Sequence, residues 1–221
     1  MTVELVLIGL FVAALIWLAW YMRAQKNETT VEVLIQRGEY GRAVVEADRL
    51  LALDDRDGAL WQHRGDALQL QGLFADSESS YRKALGLNPR DAASREGVAL
   101  SLAHRGVQLE EARGLMEETI SAYPEIQEFQ ALSLSYIMFR SGAREDALRL
   151  FGDNIELLEV RFDTDYTDPD DLLAETLYVY GVMSRETGNV ERSELLMQRV
   201  REWAPESVFA KMTSGMVKLG A

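Results

Sequence analysis

The sequence predicts an all-α protein in which an N-terminal transmembrane helix precedes an α-solenoid of about five helical hairpins and a C-terminal capping helix. Three observations predict this architecture: one long apolar run near the N-terminus, glycines that recur at 34-residue intervals, and prolines that follow those glycines at matching places. The chain has 221 residues, of which 48% are apolar, so it is long enough to bury a core.

The transmembrane helix is predicted from residues 5–22, LVLIGLFVAALIWLAWYM, which carry no charged side chain. At about 1.5 Å per residue they form a helix of roughly 27 Å, close to the hydrocarbon thickness of a bilayer. A cleaved signal peptide would need Lys or Arg before the run, and the residues there are MTVE. A buried helix of a soluble protein remains the alternative. Aromatic rings and a cation mark the membrane interface, and the expected membrane-anchor residues are Trp17, Trp20, Tyr21 and Arg23.

The orientation of this span follows from the positions of the basic residues. None precedes it, whereas Arg23, Lys26 and Arg37 come soon after it. The positive-inside rule therefore places the C-terminal part in the cytoplasm. Of the 23 basic residues 19 are Arg, a composition typical of a GC-rich bacterial genome. We expect residues 1–26 to be the anchor and juxtamembrane segment of a single-pass protein of the bacterial inner membrane.

The hairpins are predicted from the glycine spacing. Gly38, Gly72 and Gly106 stand 34 residues apart, and each separates two amphipathic stretches of roughly a dozen residues. A glycine suits that place because the residue after the last helical turn often has a positive φ. An unrelated helical bundle would show the same amphipathic periodicity without this spacing. The later glycines and the prolines that end copies of the unit are Gly142, Gly188, Pro89, Pro124 and Pro205.

The second copy carries the most complete pattern, and the last copy repeats much of it. The second copy reads ALWQHRGDALQLQGLFADSESSYRKALGLNP, and its shared positions are Trp61, Gly65, Leu68, Gly72, Phe74, Tyr81, Ala84 and Pro89. This pattern resembles the tetratricopeptide repeat (TPR), a 34-residue unit of two helices. The resemblance implies a solenoid over residues 27–205, followed by a capping helix over residues 206–221 that covers the last repeat.

The inventory of chemical groups points away from an enzyme. The chain has no cysteine, no Gly-rich phosphate loop and two histidines, His63 and His104, which we expect to be solvated or to line the groove. No catalytic residue, cofactor or metal site is therefore predicted. Nine acids between Asp153 and Glu175 are expected to form a solvated loop, with a docking site for a basic partner as the alternative. A net charge of −13 argues against nucleic acid as a partner.

The resemblance also implies a binding surface, because in TPR proteins the first helix of each hairpin lines a concave groove. Helical periodicity predicts one inward stripe in the fourth copy and another in the fifth. The alternative is that these residues pack against the next hairpin. The predicted concave-face residues are Phe129, Leu132, Tyr136, Phe139, Tyr178, Val182 and Arg185. Chaperone-binding relatives carry Lys and Asn where this chain has Gln62, Asp66, Glu96 and Leu100, so a co-chaperone is not expected.

These observations predict a non-enzymatic, membrane-anchored TPR scaffold or adaptor that binds other proteins. The resemblance favours an accessory or stabilising subunit of a membrane complex, either energy-transducing or of the envelope. The alternative is a transient assembly factor for membrane or cytochrome complexes. No small-molecule substrate is expected.

Overall fold

The computed structural model describes residues 30–124, 127–164 and 173–215, which contain helices and no strand. The helices follow one another as antiparallel pairs joined by short turns. They are α1 (30–36), α2 (Tyr40–Leu51), α3 (Gly58–Leu70), α4 (Phe74–Leu87), α5 (Ala92–Arg105), α6 (Leu109–Ala122), α7 (Gln127–Arg140), α8 (Arg144–Thr164), α9 (Ala174–Glu186), α10 (Val190–Trp203) and α11 (Val208–Thr213).

Each helix packs mainly on its neighbours in the chain, as expected for a solenoid of hairpins. The five pairs from α1/α2 to α9/α10, with α11 after them, confirm the predicted all-helical solenoid. Helix α8 is the longest, with 21 residues, and ends at Thr164. Helix α11 lies within the predicted capping segment, of which residues 216–221 lie outside the described residues.

No helix among the described residues is long and apolar enough to cross a membrane. The predicted span, residues 5–22, and its anchor residues Trp17, Trp20, Tyr21 and Arg23 lie outside the part of the chain that the structure describes.

The turns within the hairpins confirm the prediction made from the glycine spacing. The five repeat glycines have φ between 67° and 90°, a region in which a residue with a Cβ is strained. The backbone N–H of each glycine also donates to the carbonyl three residues earlier, which closes the end of the preceding helix. These glycines are Gly38, Gly72, Gly106, Gly142 and Gly188.

The second and third hairpins pack through one tyrosine held between two glycines. A Cβ on Gly65 of α3 would lie 2.7 Å from the Tyr81 ring, and a Cβ on Gly97 of α5 would lie 2.5 Å from it. The ring of Tyr81, on α4, therefore occupies space that any other residue at those positions would fill. The two glycines bring α3, α4 and α5 close together.

The last hairpin reaches back to the second and third hairpins. Helix α11 contacts α3 as well as α9 and α10, and α9 contacts α7. Side chains from α9 and α11 consequently meet side chains from α3 and α5 on the face formed by the first helices of the hairpins, here called the concave face.

Candidate functional site

A buried group of side chains, here called the inner cluster, fills the middle of the concave face. At its centre, Glu175 of α9 bridges two other helices. Its Oε1 lies 2.6 Å from Nε2 of His104 on α5, and its Oε2 accepts a 2.5 Å hydrogen bond from Nε2 of Gln69 on α3. The inner cluster comprises Gln69, Phe74, Ser77, Ser101, His104, Tyr136, Glu175, Tyr178 and Phe209.

His104 is hydrogen-bonded at both ring nitrogens. Nε2 faces Glu175, and Nδ1 lies 3.2 Å from the hydroxyl of Tyr136. A neutral imidazole satisfies both contacts if Nε2–H donates to the carboxylate and Nδ1 accepts from the tyrosine. The Tyr136 oxygen in turn accepts a 3.1 Å hydrogen bond from Nη1 of Arg140. The chain of contacts therefore joins α5, α7 and α9.

Gln69 extends the same network to two serines. Its Oε1 accepts hydrogen bonds from the hydroxyls of Ser77, at 2.8 Å, and Ser101, at 2.7 Å. With its Nε2 donating to Glu175, the buried amide is paired at both ends. Buried polar groups are costly when unpaired, so this pairing lets the inner cluster be polar and buried at once.

Aromatic rings cover the polar network, and one of them comes from α11. Phe209 has no exposed surface, and its ring centroid lies 5.4 Å from that of His104 and 5.5 Å from that of Tyr178. Phe74 stacks on His104 at 4.8 Å. Helix α11 thus inserts a side chain into the concave face where a TPR groove would hold its ligand.

The space beside the inner cluster, among α3, α4, α9 and α11, is small. A cavity of about 40 Å³ lies among Asp66, Gln69, Leu70, Tyr81, Glu175 and Phe209. That volume holds at most a few water molecules and no peptide side chain. No group of three or more His, Asp or Glu residues in the described ranges is arranged to hold a metal ion.

Two titratable groups near the inner cluster are held in unusual environments. Burial raises the pKa of Glu96 to about 7, the hydroxyl of Ser133 that donates to it acts in the opposite direction, and the charge of Glu175 raises the pKa further. The Tyr81 hydroxyl donates to Asp66 at 2.7 Å. Burial above all, and then the charge of Asp66, raises the pKa of Tyr81 well above its usual value.

The structure distributes the predicted concave-face residues between the core and the surface. Leu132, Tyr136 and Tyr178 are buried, and both tyrosines belong to the inner cluster. Phe139 and Val182 are half-buried, and Arg185 is exposed. The side chain of Phe129 lies outside the described residues. Whether any of these residues binds a partner stays a prediction.

The sequence predicts that His104 is solvated or lines the groove. The structure buries it, and nothing in the sequence indicates its partners. Gln69 lies on α3, but its bond to Glu175 joins residues 106 positions apart, and no local pattern predicts such a contact. The expectation that Glu175 belongs to a solvated acidic loop is wrong, because it lies in the first turn of α9 and points into the protein. Phe209 belongs to the expected capping helix, with no signal in the sequence that it reaches the second hairpin.

A second region, here called the outer cleft, is open. It has a volume of about 910 Å³ and runs along the outward side of α4, between the start of α3 and the end of α5. The residues that define it are Arg56, Trp61, Glu78, Lys83, Leu87 and Arg105. Arg82 and Gly86 also lie on this side of α4.

Glu78 organises the charges of the outer cleft. It pairs with Arg105 at one end of α4, and its Oε1 accepts a 2.8 Å hydrogen bond from Nε of Arg82. Arg82 also donates to Glu111 of α6 at 2.8 Å. By contrast, Arg56 and Lys83 are exposed and form no ion pair with any residue that the structure describes. The outer cleft can therefore bind a charged group.

An aromatic side chain provides an apolar wall of the outer cleft. The ring of Trp61 is held by a 2.9 Å hydrogen bond from its Nε1 to the Asp55 carbonyl, and the guanidinium of Arg64 lies 5.8 Å from the ring centroid. Leu87, which is 44% exposed, also lines the outer cleft. Because the ring is fixed before any ligand arrives, contact with it costs little conformational entropy.

Comparison with known proteins identifies the fold. No family model and no curated protein matches the chain. Among solved structures, a thermophilic TPR protein of Thermus thermophilus superposes with a TM-score of 0.59 at 13% identity, covering 87% of this chain and 98% of that one. A protein of Podospora anserina, described as a putative kinesin light chain with nearly identical TPR-like repeats, gives 0.55 at 14% identity, covering 86% and 96%.

The description of a third solved structure also names what that protein binds. YrrB, described as a TPR protein with an unusual peptide-binding site, gives a TM-score of 0.50 at 15% identity, covering 86% of this chain and 90% of that one. At such identities the likeness concerns the fold alone. The described part of the chain is a TPR-like α-solenoid.

Proposed function

We propose that this protein is a membrane-anchored scaffold that binds a segment of another protein through its TPR-like solenoid. The observation that carries the proposal is the outer cleft, an open volume of about 910 Å³ on a repeat scaffold. Cavities of roughly 300–1,000 Å³ are typical of ligand sites in proteins. The cavity beside the inner cluster, in contrast, has room for a few waters.

The length of the outer cleft fits a short stretch of polypeptide. Its lining extends along α4 from Ala75 to Leu87, a rise of roughly 18 Å at about 1.5 Å per residue. An extended chain rises about 3.3 Å per residue, so five or six residues would span it. YrrB, which has a TPR-like fold and a peptide-binding site, supports this type of ligand.

The apolar run at residues 5–22 supports the anchor. It would hold the solenoid at the cytoplasmic surface of a bacterial inner membrane, as an accessory or stabilising subunit of a membrane complex. A tethered binding module meets a membrane partner at a high effective concentration, so even a modest affinity would suffice.

The proposal is tested in cells with a photo-crosslinking amino acid at Leu87, which lines the outer cleft. Leu195 on α10 is the matched control, because the two leucines are 44% and 42% exposed. We expect a defined crosslinked protein in membranes from the Leu87 variant and none from the Leu195 variant. Equal crosslinking at both positions, or none at Leu87, would contradict the proposal.

Fractionation and protease treatment test the membrane part. The full chain should stay in the membrane fraction after a high-salt wash and leave it when residues 5–22 are deleted. Its solenoid should be cleaved by protease only after the inner membrane is opened. Recovery with a partner in fixed stoichiometry supports a subunit, whereas recovery only with incomplete complexes supports an assembly factor.

A further inference from the structure

The outer cleft is positively charged in a strongly negative protein. Four cations line it, Arg56, Arg82, Lys83 and Arg105, against the two lining acids Asp55 and Glu78 and the carboxylate of Glu111, which pairs with Arg82. The whole chain has a net charge of −13. The local excess of cations is therefore opposite in sign to the field of the rest of the molecule.

The cations lie along the full length of the outer cleft. Arg105 sits beside Glu78 near the start of α4, and Lys83 lies further along the helix. The start of α3 packs against the end of α4, where a Cβ on Gly58 would lie 3.6 Å from the Leu87 Cβ. Arg56, two residues before Gly58, is consequently at the far end. An extended ligand would meet positive charge at both ends and near the middle.

Two of these cations are not paired with an acid in the described part of the chain. Arg82 and Arg105 form ion pairs with Glu78, but Arg56 and Lys83 are exposed and make no ion pair within the described part of the chain. Their charges are free to pair with carboxylates brought by a ligand. Between them lie the apolar surface of Leu87 and open space at Gly86, where an added Cβ would have no neighbour within 4 Å.

We propose that the outer cleft binds an acidic segment of a partner protein, five or six residues long, in which carboxylates flank an apolar side chain. The carboxylates pair with Arg56 and Lys83, and the apolar side chain contacts Trp61 and Leu87. This inference rests on the proposed function and adds the chemistry of the partner. A basic segment would not bind in the outer cleft, although the overall net charge of −13 would by itself favour a basic partner.

The test uses three labelled hexapeptides that differ in charge alone: Glu-Leu-Glu-Glu-Leu-Glu, its glutamine analogue and its lysine analogue. Binding to the detergent-solubilised full chain is measured by fluorescence anisotropy at low salt. We expect the glutamate peptide to bind at least tenfold more tightly than the other two. Raising the salt concentration from about 50 to about 300 mM should weaken its binding several-fold, because exposed ion pairs are screened.

A double variant tests the two free cations. Arg56→Glu with Lys83→Glu should weaken glutamate-peptide binding about tenfold, since two exposed ion pairs are lost and the new charges repel the ligand. The matched control is Arg37→Glu with Lys211→Glu, which changes the net charge equally at exposed residues outside the lining of the outer cleft. It should retain most of the binding. Helical circular dichroism should be the same for both.

The outcomes separate this inference from the proposed function. Equal binding of the glutamate and glutamine peptides, or no effect of the double variant, overturns the acidic segment. If a partner still crosslinks at Leu87 in that case, the scaffold function stands and its ligand has other chemistry. A crosslinked dimer of this chain would show that a second copy occupies the cleft, which also overturns the inference. Failure to crosslink any protein at Leu87, with the glutamate peptide bound, counts against the scaffold function alone.

Discussion

The inner cluster and the outer cleft lie on opposite sides of the same two hairpins and differ in almost every property that matters for binding. In the inner cluster, His104 and Gln69 are buried with their polar atoms paired, and about 40 Å³ of space remains beside them. In the outer cleft, Arg56 and Lys83 are exposed and free of ion pairs with the described residues, beside a volume of about 910 Å³.

The concave face of a helical repeat array is open only where later repeats do not pack against it. Here Glu175 and Phe209, from the last hairpin and α11, fill the concave face of the second and third hairpins. The following changes test that contrast, in order of decreasing effect.

Phe209→Ala should produce the largest loss of stability. It removes a fully buried ring from contact with Phe74, His104 and Tyr178, and Phe→Ala changes in a core cost about 3–5 kcal/mol. Chemical denaturation followed by circular dichroism measures this. Leu195→Ala, at a 42% exposed site, should change stability by less than about 0.5 kcal/mol. Similar small effects for both would show that α11 does not close the concave face.

Glu175→Ala should cost about 2–3 kcal/mol, because it leaves the buried His104 and Gln69 without their shared acceptor. Glu186→Ala is the control on the same helix: its partner Arg144 is 54% exposed, and such pairs contribute about 0–1 kcal/mol. The midpoint of thermal unfolding should fall clearly for the first variant and little for the second. A reversed order would mean that the inner network contributes no stability.

The glycines give a matched pair of Ala substitutions. Gly97→Ala places a Cβ 2.5 Å from the buried Tyr81 ring and should destabilise the protein by about 1–3 kcal/mol. Gly86→Ala, in the open cleft on α4, has no neighbour within 4 Å and should stabilise by up to about 1 kcal/mol through helix propensity. Thermal unfolding of both variants measures the contrast. Destabilisation by Gly86→Ala would show that the outer cleft is more closely packed at α4 than an open site allows.

The smallest expected effect is a pH dependence from Glu96. Its pKa in the folded protein, about 7, lies above the usual value of 4.5 because of burial. Its contribution is therefore fully present below pH 4.5 and is lost as pH rises through about 7. Because Glu96 is half-buried and water screens it, we expect a loss on the order of 1 kcal/mol.

The measurement is the thermal midpoint at several pH values in the wild type and in Glu96→Gln. The wild type should lose more stability than the variant between pH 5 and pH 8. Glu117→Gln, at an exposed residue of α6, should follow the wild type. Parallel curves for the wild type and Glu96→Gln would exclude a raised pKa at Glu96.

Local patterns predict much of the fold. The positive φ of Gly72 and Gly106 follows from their position after a helix, and the close approach at Gly65 follows from its place opposite Tyr81 in the repeat. The candidate sites are harder to predict. Periodicity assigns Tyr136 and Tyr178 to a groove that Phe209 fills in the folded protein, and the cations of the outer cleft carry no motif.

The helices, their glycine turns and the pairing of neighbouring helices therefore follow from the amino-acid sequence alone, because these features depend on residues within about 34 positions of one another. The folded chain is needed to show that Glu175 and Phe209 pack on the second and third hairpins, and that a cleft of about 910 Å³ remains along α4. Glu175 meets His104 across 71 positions and Gln69 across 106. Such contacts depend on how each repeat is rotated relative to the one before it. These small rotations accumulate along the solenoid, so the sequence of a single repeat does not predict which distant repeats meet.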